Sequence, residues 1–321
     1  MDHGSVRPLL FLLASLLLPT SALASPWTMP KGKVAVQIGA DVQFARKEWL
    51  IDGRFQRYPL QGRYFGANLR IGARHGITDR LEIGGRISIT HLSYDSDELV
   101  MPAEGGGEPT IISFDRRATG PGDVQLYGRY RISKPGRVAA AIGLEAKLPT
   151  GYPLPRGTFI GDDPTAGVGD DVAIGDGQLD LTPRMHLGFV PLDFWFVRMA
   201  GGIRFRFFGP GQQLVGEVKT GFKLGKHVLV YGGVDAEHSF TDGKVIGQTF
   251  VTSDVESNGE QLDPADIETL DLRLDRSALR PAGGVLLLFA NWELDIGYQV
   301  IAYGRNIAQT QAISLGVTVK P

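Results

Sequence analysis

Charged residues recur two or four positions apart through much of this chain. Arg70 and Arg74, Glu82 and Arg86, Arg129 and Arg131, and Glu145 and Lys147 are spaced in this way. So are Asp180 and Arg184, Glu217 and Lys219, Asp235 and Glu237, and Glu293 and Asp295. Even spacing places each group on one face of a strand. Such a face carries both signs, and two chemistries follow. Opposite charges on neighbouring strands can neutralise one another and brace a wall, or they can select what passes along it. Arg198, Arg204 and Arg206 form the most one-sided row. Arginine grips carboxylates bidentately, so an anion contact is the sharper reading of that row.

Two other constellations could do chemistry. His91 and Ser93 share a strand face, with Asp95 beyond, which is the composition of a lipid hydrolase relay. The spacing is common by chance, and no Gly-x-Ser-x-Gly elbow is present, so catalysis is not expected. Asp162, Asp163, Asp170, Asp171 and Asp176 crowd one connection. Asp242, Asp254, Glu256, Glu260, Asp263, Asp266 and Glu268 crowd another. Calcium binds clustered oxygens, but the regular spacing of a calcium loop is missing. Solvated outer loops are the expectation, with no metal and no cofactor.

The elements that position these charges are long amphipathic strands. Residues 120–148 read GPGDVQLYGRYRISKPGRVAAAIGLEAKL, two alternating stretches around a Lys-Pro-Gly turn. Val124, Leu126, Tyr130, Ile142 and Leu144 form an apolar face. Arg129, Arg131, Glu145 and Lys147 form the opposite face. The pattern recurs from about residue 33 to the end, giving about twelve strands, with the stretch near 278–289 the least regular. Many runs are about ten to fourteen residues, roughly twice the usual soluble strand. Connections alternate in length. Short turns occupy 75–80, 133–137, 190–193, 224–226 and 290–291, whereas long ones occupy 46–62, 95–121, 149–176 and 241–276, with shorter ones on that same side near 209–212 and 304–310. Sorting loops by length to one side is the habit of a membrane barrel, not of a soluble sandwich. The expected fold is therefore all-β, a transmembrane antiparallel up-and-down barrel of about twelve strands. Its apolar face would meet outer-membrane lipid and its charged face the lumen.

The N-terminus supports export. Arg7 precedes the apolar run Leu9–Leu18, and Ala22-Leu23-Ala24 is a small-x-small cleavage site. Residues 1–24 read as a signal peptide and 25–321 as the barrel. The chain has no cysteine and a formal charge of -2. Thiolate chemistry is thus excluded, and there is no electrostatic reason to expect nucleic acid as a partner.

Several segments resemble the outer-membrane family of the meta-pathway of phenol degradation. His75-Gly76-Ile77-Thr78-Asp79-Arg80-Leu81-Glu82-Ile83-Gly84 is similar to that family's turn into a strand. Gly120-Pro121-Gly122-Asp123 is similar to a strand opening, and Lys147-Leu148-Pro149-Thr150-Gly151 to a strand exit. Gly175-Asp176-Gly177-Gln178-Leu179-Asp180 is similar to the next strand's start. The resemblance is best over about residues 62–240. It implies a channel for small, apolar or aromatic molecules. In one departure from many outer-membrane barrels, which end in an aromatic residue read by the barrel-assembly machinery, this chain ends Val319-Lys320-Pro321.

The expectation is an outer-membrane channel for passive uptake of a small-molecule permeant, lined by the charged residues named above. A non-conducting structural or adhesive barrel is the alternative, and a barrel lipid hydrolase comes after it.

Overall fold

The computed structural model describes residues 26–97, 99–101, 110–112, 115–134, 136–152, 174–251 and 268–320. The segment 1–24 lies outside the described residues, as do Asp162, Asp163, Asp170, Asp171, Asp254, Glu256, Glu260, Asp263 and Asp266.

Twelve long strands form one closed antiparallel barrel. In chain order they are β1 (Val34–Ala45), β2 (Arg63–Gly76), β3 (Leu81–Asp95), β4 (Val124–Arg131), β5 (Val138–Leu148) and β6 (Asp180–Leu192). The remaining six are β7 (Trp195–Arg206), β8 (Gln213–Leu224), β9 (Val228–Ser239), β10 (Ser277–Leu288), β11 (Trp292–Val300) and β12 (Gln311–Val319). Each strand pairs with its neighbours in sequence. The ring is sealed by β1 on β12, in register from Val36 opposite Val319 to Phe44 opposite Gln311. Closure gives each of the twelve ring strands a partner on both edges, which is what a sheet in hydrocarbon requires.

The facing is the inverse of a soluble core. Ile38, Ile87, Ile89, Ile142, Leu144 and Met185 are exposed on the outer surface, whereas Glu82, Arg129, Asp180, His186 and Gln213 are buried within. Aromatic side chains gather near both edges of this apolar band. Trp292 stacks on Phe289 at 3.8 Å, and Trp195 on Phe222 at 5.9 Å, at the short-turn end. Phe44, Phe65, Phe207, Phe208 and Tyr303 are exposed at the other end. Paired aromatic girdles mark the two interfaces of a membrane barrel.

Two sequence-based boundaries shift. Gly120-Pro121 does not open a strand: pairing with β3 begins earlier, over Arg116–Pro121, and breaks at Gly122–Asp123 before β4. The long connections also carry strands of their own. Lys47–Trp49 pairs with Phe55–Arg57 and with Ile307–Ala308. Val245–Val251 pairs with Glu268–Arg273, and Leu99–Met101 with Thr110–Ile112. Pairing satisfies backbone groups that a bare loop would leave to water.

The irregular tenth stretch is a full strand. Its small residues have a packing reason. A Cβ on Gly284 would come within 2.5 Å of the Tyr231 hydroxyl, and one on Gly84 within 2.5 Å of the Tyr127 ring. Each inward tyrosine lies across a glycine of the adjoining strand, so aromatic bulk enters the lumen without displacing the wall.

Candidate functional site: the barrel lumen

The lumen has two parts. Near the short turns it is filled. Glu82 is 0% exposed, and its carboxylate accepts from the Met29 amide at 2.8 Å and from the Tyr127 hydroxyl at 3.3 Å. Arg129 Nη1 stands 3.7 Å from it. Across the ring, on β8 and β9, Lys219 Nζ sits 3.5 Å from the Tyr231 ring centroid, and the Tyr231 hydroxyl donates to Asp295 at 2.6 Å. Arg198 closes the layer by donating to Glu217 at 2.9 Å. Buried charges are tolerated only when paired and hydrogen-bonded in this way.

The segment before β1 crosses the same mouth. Pro26 is fully buried. Thr28 Oγ1 donates to the Asp79 carbonyl at 2.9 Å, and the Lys31 amide to the Asp79 carboxylate at 3.0 Å. A Cβ on Gly188, on β6, would meet Pro26 and Trp27 within about 2.5 Å. The segment thus spans from β1 to β6 and narrows the opening.

Above this layer lies a cavity of about 550 Å³. Ten of the residues expected to face the lumen line it: Arg70, Arg86, Glu145, Lys147, Asp180, Arg184, Arg204, Glu217, Asp235 and Glu237. Five others form the packed layer beneath: Glu82, Arg129, Arg198, Lys219 and Asp295. Arg131 donates to the Asp79 carbonyl at 2.8 Å. Arg74 borders a hollow with Trp27 and Met29. Arg206 pairs with Asp176 and, at 3.5 Å, with Asp180. Glu293 pairs with Lys320 at the short-turn rim.

The arginine row is not one-sided in three dimensions. Arg198 meets Glu217, Arg204 meets Glu237 at 3.1 Å, and Arg206 meets Asp176. Strand pairing brings in carboxylates from β8, β9 and the β5–β6 connection that no local pattern could show. Two members of the hydrolase constellation have other partners. His91 Nδ1 is 2.6 Å from Thr119 Oγ1, and Asp95 is 3.8 Å from Arg117.

Two lining arginines were not foreseen from the sequence. Arg276 and Arg280 join Arg204 around one carboxylate, Glu237. Arg280 could have been found by extending the alternation through the tenth stretch. Asp41 pairs with Arg70. At the long-connection end, Lys147 is a hub for Asp176, Asp180 at 2.9 Å and Asp123 at 3.7 Å. Asp176 had been counted with a solvated loop. Burial alone would raise its carboxyl, but Lys147, Arg206 and Arg276 hold it down at about 2. Tyr152 donates to Asp123, and its phenol is raised by burial and by that carboxylate. Among the described residues no group of His, Cys, Asp and Glu could hold a metal ion.

With this geometry in view, the comparisons with known proteins place the fold. It is the fold of an outer-membrane channel. The COG4313 outer membrane channel from Pseudomonas putida F1 superposes with a TM-score of 0.61 at 10% identity, covering 95% of this chain and 100% of that one. The NanC porin gives a TM-score of 0.47 at 8% identity, over 88% of this chain and 100% of that one. The CymD monoaromatic hydrocarbon channel gives 0.46 at 11%, over 91% and 89%. No family model and no curated protein matches the chain.

Proposed function

We propose that this chain is an outer-membrane channel for passive diffusion of small hydrophilic molecules, exported by residues 1–24. The observation that carries the reading is a closed barrel, apolar outside, around a 550 Å³ cavity walled by charges of both signs. In such a lumen the lining decides what enters. The sequence resemblance implies apolar or aromatic permeants. The described cavity wall favours polar ones, because Ile174 and Val215 are the largest aliphatic side chains it turns inward and an apolar solute would have to displace hydration from paired ions. The cavity-lining charges are thus read as permeant contacts, and the barrel-assembly machinery as the partner that inserts the chain.

The test is swelling of proteoliposomes in isotonic arabinose, with conductance in a planar bilayer. Swelling and discrete conductance steps are expected. Heat-modifiable mobility in the membrane fraction without either would favour a non-conducting barrel.

A further inference from the structure

The exposed charge at the short-turn rim is unbalanced. Lys31, Lys33, Arg80, Lys134, Lys223 and Lys226 are all exposed there, and none has an ion pair within 4 Å among the described residues. The exposed carboxylates of the same rim are Asp79 and Asp193. Each is engaged: Asp193 pairs with Arg137 at 2.8 Å, and Asp79 accepts from the Lys31 backbone amide at 3.0 Å. Lys320 and Glu293 pair with each other.

These cations are spread around the ring. Lys31 and Lys33 precede β1, Arg80 lies in the β2–β3 turn, and Lys134 lies in the β4–β5 turn. Lys223 and Lys226 flank the β8–β9 turn. The β2–β3 and β8–β9 turns are six strands apart in a ring of twelve, so they stand on opposite sides of the barrel.

Each of these three turns also exposes an aliphatic side chain beside its cation. Ile77 accompanies Arg80, Ile132 accompanies Lys134, and Leu224 accompanies Lys226, at 39%, 50% and 58% exposure. The stacked pairs Trp195–Phe222 and Phe289–Trp292 lie at the same end. Apolar and cationic groups side by side suit the depth at which hydrocarbon gives way to headgroups, where long basic side chains reach for phosphates. A docked protein would cover one contiguous side of the rim. Lipid touches every side.

We propose that the short-turn rim is a binding surface for anionic phospholipid, its phosphates held by Arg80, Lys134, Lys223 and Lys226. Lysine and arginine give charge-assisted hydrogen bonds to phosphate oxygens, and a cluster of them is drawn to an anionic leaflet. The inference concerns the barrel's outer rim and stands whether or not the lumen conducts.

Trp195 and Trp292 supply the probe, because brominated lipid quenches tryptophan beside it. The full barrel is reconstituted in bilayers that mix dioleoyl phosphatidylglycerol with brominated phosphatidylcholine, and relief of quenching reports the relative affinity. Wild-type protein is expected to favour phosphatidylglycerol about fivefold, the effect of one basic residue at an anionic surface. Exchanging Arg80, Lys134, Lys223 and Lys226 together for Gln should bring the ratio near one. Exchanging the three lysines for Arg should keep it. Raising salt to about 0.5 M should weaken the wild-type preference. Heat-modifiable mobility checks that the variants fold. An absent wild-type preference, or one that survives the Gln exchange, overturns the assignment. Cosedimentation with purified peptidoglycan that the Gln exchange abolishes, without any lipid preference, also overturns it and makes cell-wall carboxylates the partner.

Discussion

The two halves of the lumen are built from the same residue types and do different things. At the short-turn end Glu82, Arg129, Tyr127, Lys219, Tyr231 and Asp295 are buried and interlocked. At mid-height Arg86 and Asp235 face a cavity with no ion pair within 4 Å among the described residues. Charge content does not separate the halves. What separates them is aromatic bulk, glycine relief on the adjoining strand and a chain segment laid across the mouth. A charged barrel interior is thus wet or closed according to what fills the space between its walls.

The comparison can be broken most forcefully at the mouth. Deleting residues 26–32 removes the segment held by Asp79 and Glu82, and single-channel conductance should rise several-fold. Unchanged conductance would place the constriction elsewhere. Next comes Glu82→Ala, which removes the carboxylate that accepts from the Met29 amide and the Tyr127 hydroxyl and faces Arg129 at 3.7 Å. It should lower unfolding stability by about 3–5 kcal/mol, the usual effect of breaking a buried pair, measured by urea titration in detergent.

Asp176 offers a pH test at the long-connection end. Its folded pKa, about 2, lies below the ordinary 3.8. Its contribution is therefore fully present above about pH 4 and is lost as pH falls through 2. That contribution is about 2 kcal/mol, and Asp176→Asn should flatten the acid limb of a thermal melting profile. A smaller effect is expected for Tyr231→Phe, which strips Asp295 of a donor at 2.6 Å and should cost about 1–2 kcal/mol. The smallest belongs to the cavity. Asp235→Asn breaks no ion pair and should change stability by less than about 0.5 kcal/mol. A large loss there would show that the open half is braced like the closed one.

Much of the wall was legible in the sequence. Strict alternation from Val124 to Leu148 assigns Leu126 and Ile142 to the outer face and Arg129 and Glu145 to the inner one, and the structure places them so. The tenth strand was hard to read because Pro281, Ala282, Gly283 and Gly284 blunt its alternation, and Arg280 went unrecognised with it. The arginine row looked one-sided because its carboxylates come from other strands.

By itself the sequence determined which side chains face lipid and which face inward, since a strand's period of two is a local property. It also determined the alternation of short and long connections, and through these the barrel. Only the tertiary structure decided which charges meet, that Glu237 is shared by three arginines, and where the segment before β1 lies. Those outcomes depend on side chains from strands far apart in sequence meeting across a closed ring, and no local period encodes that.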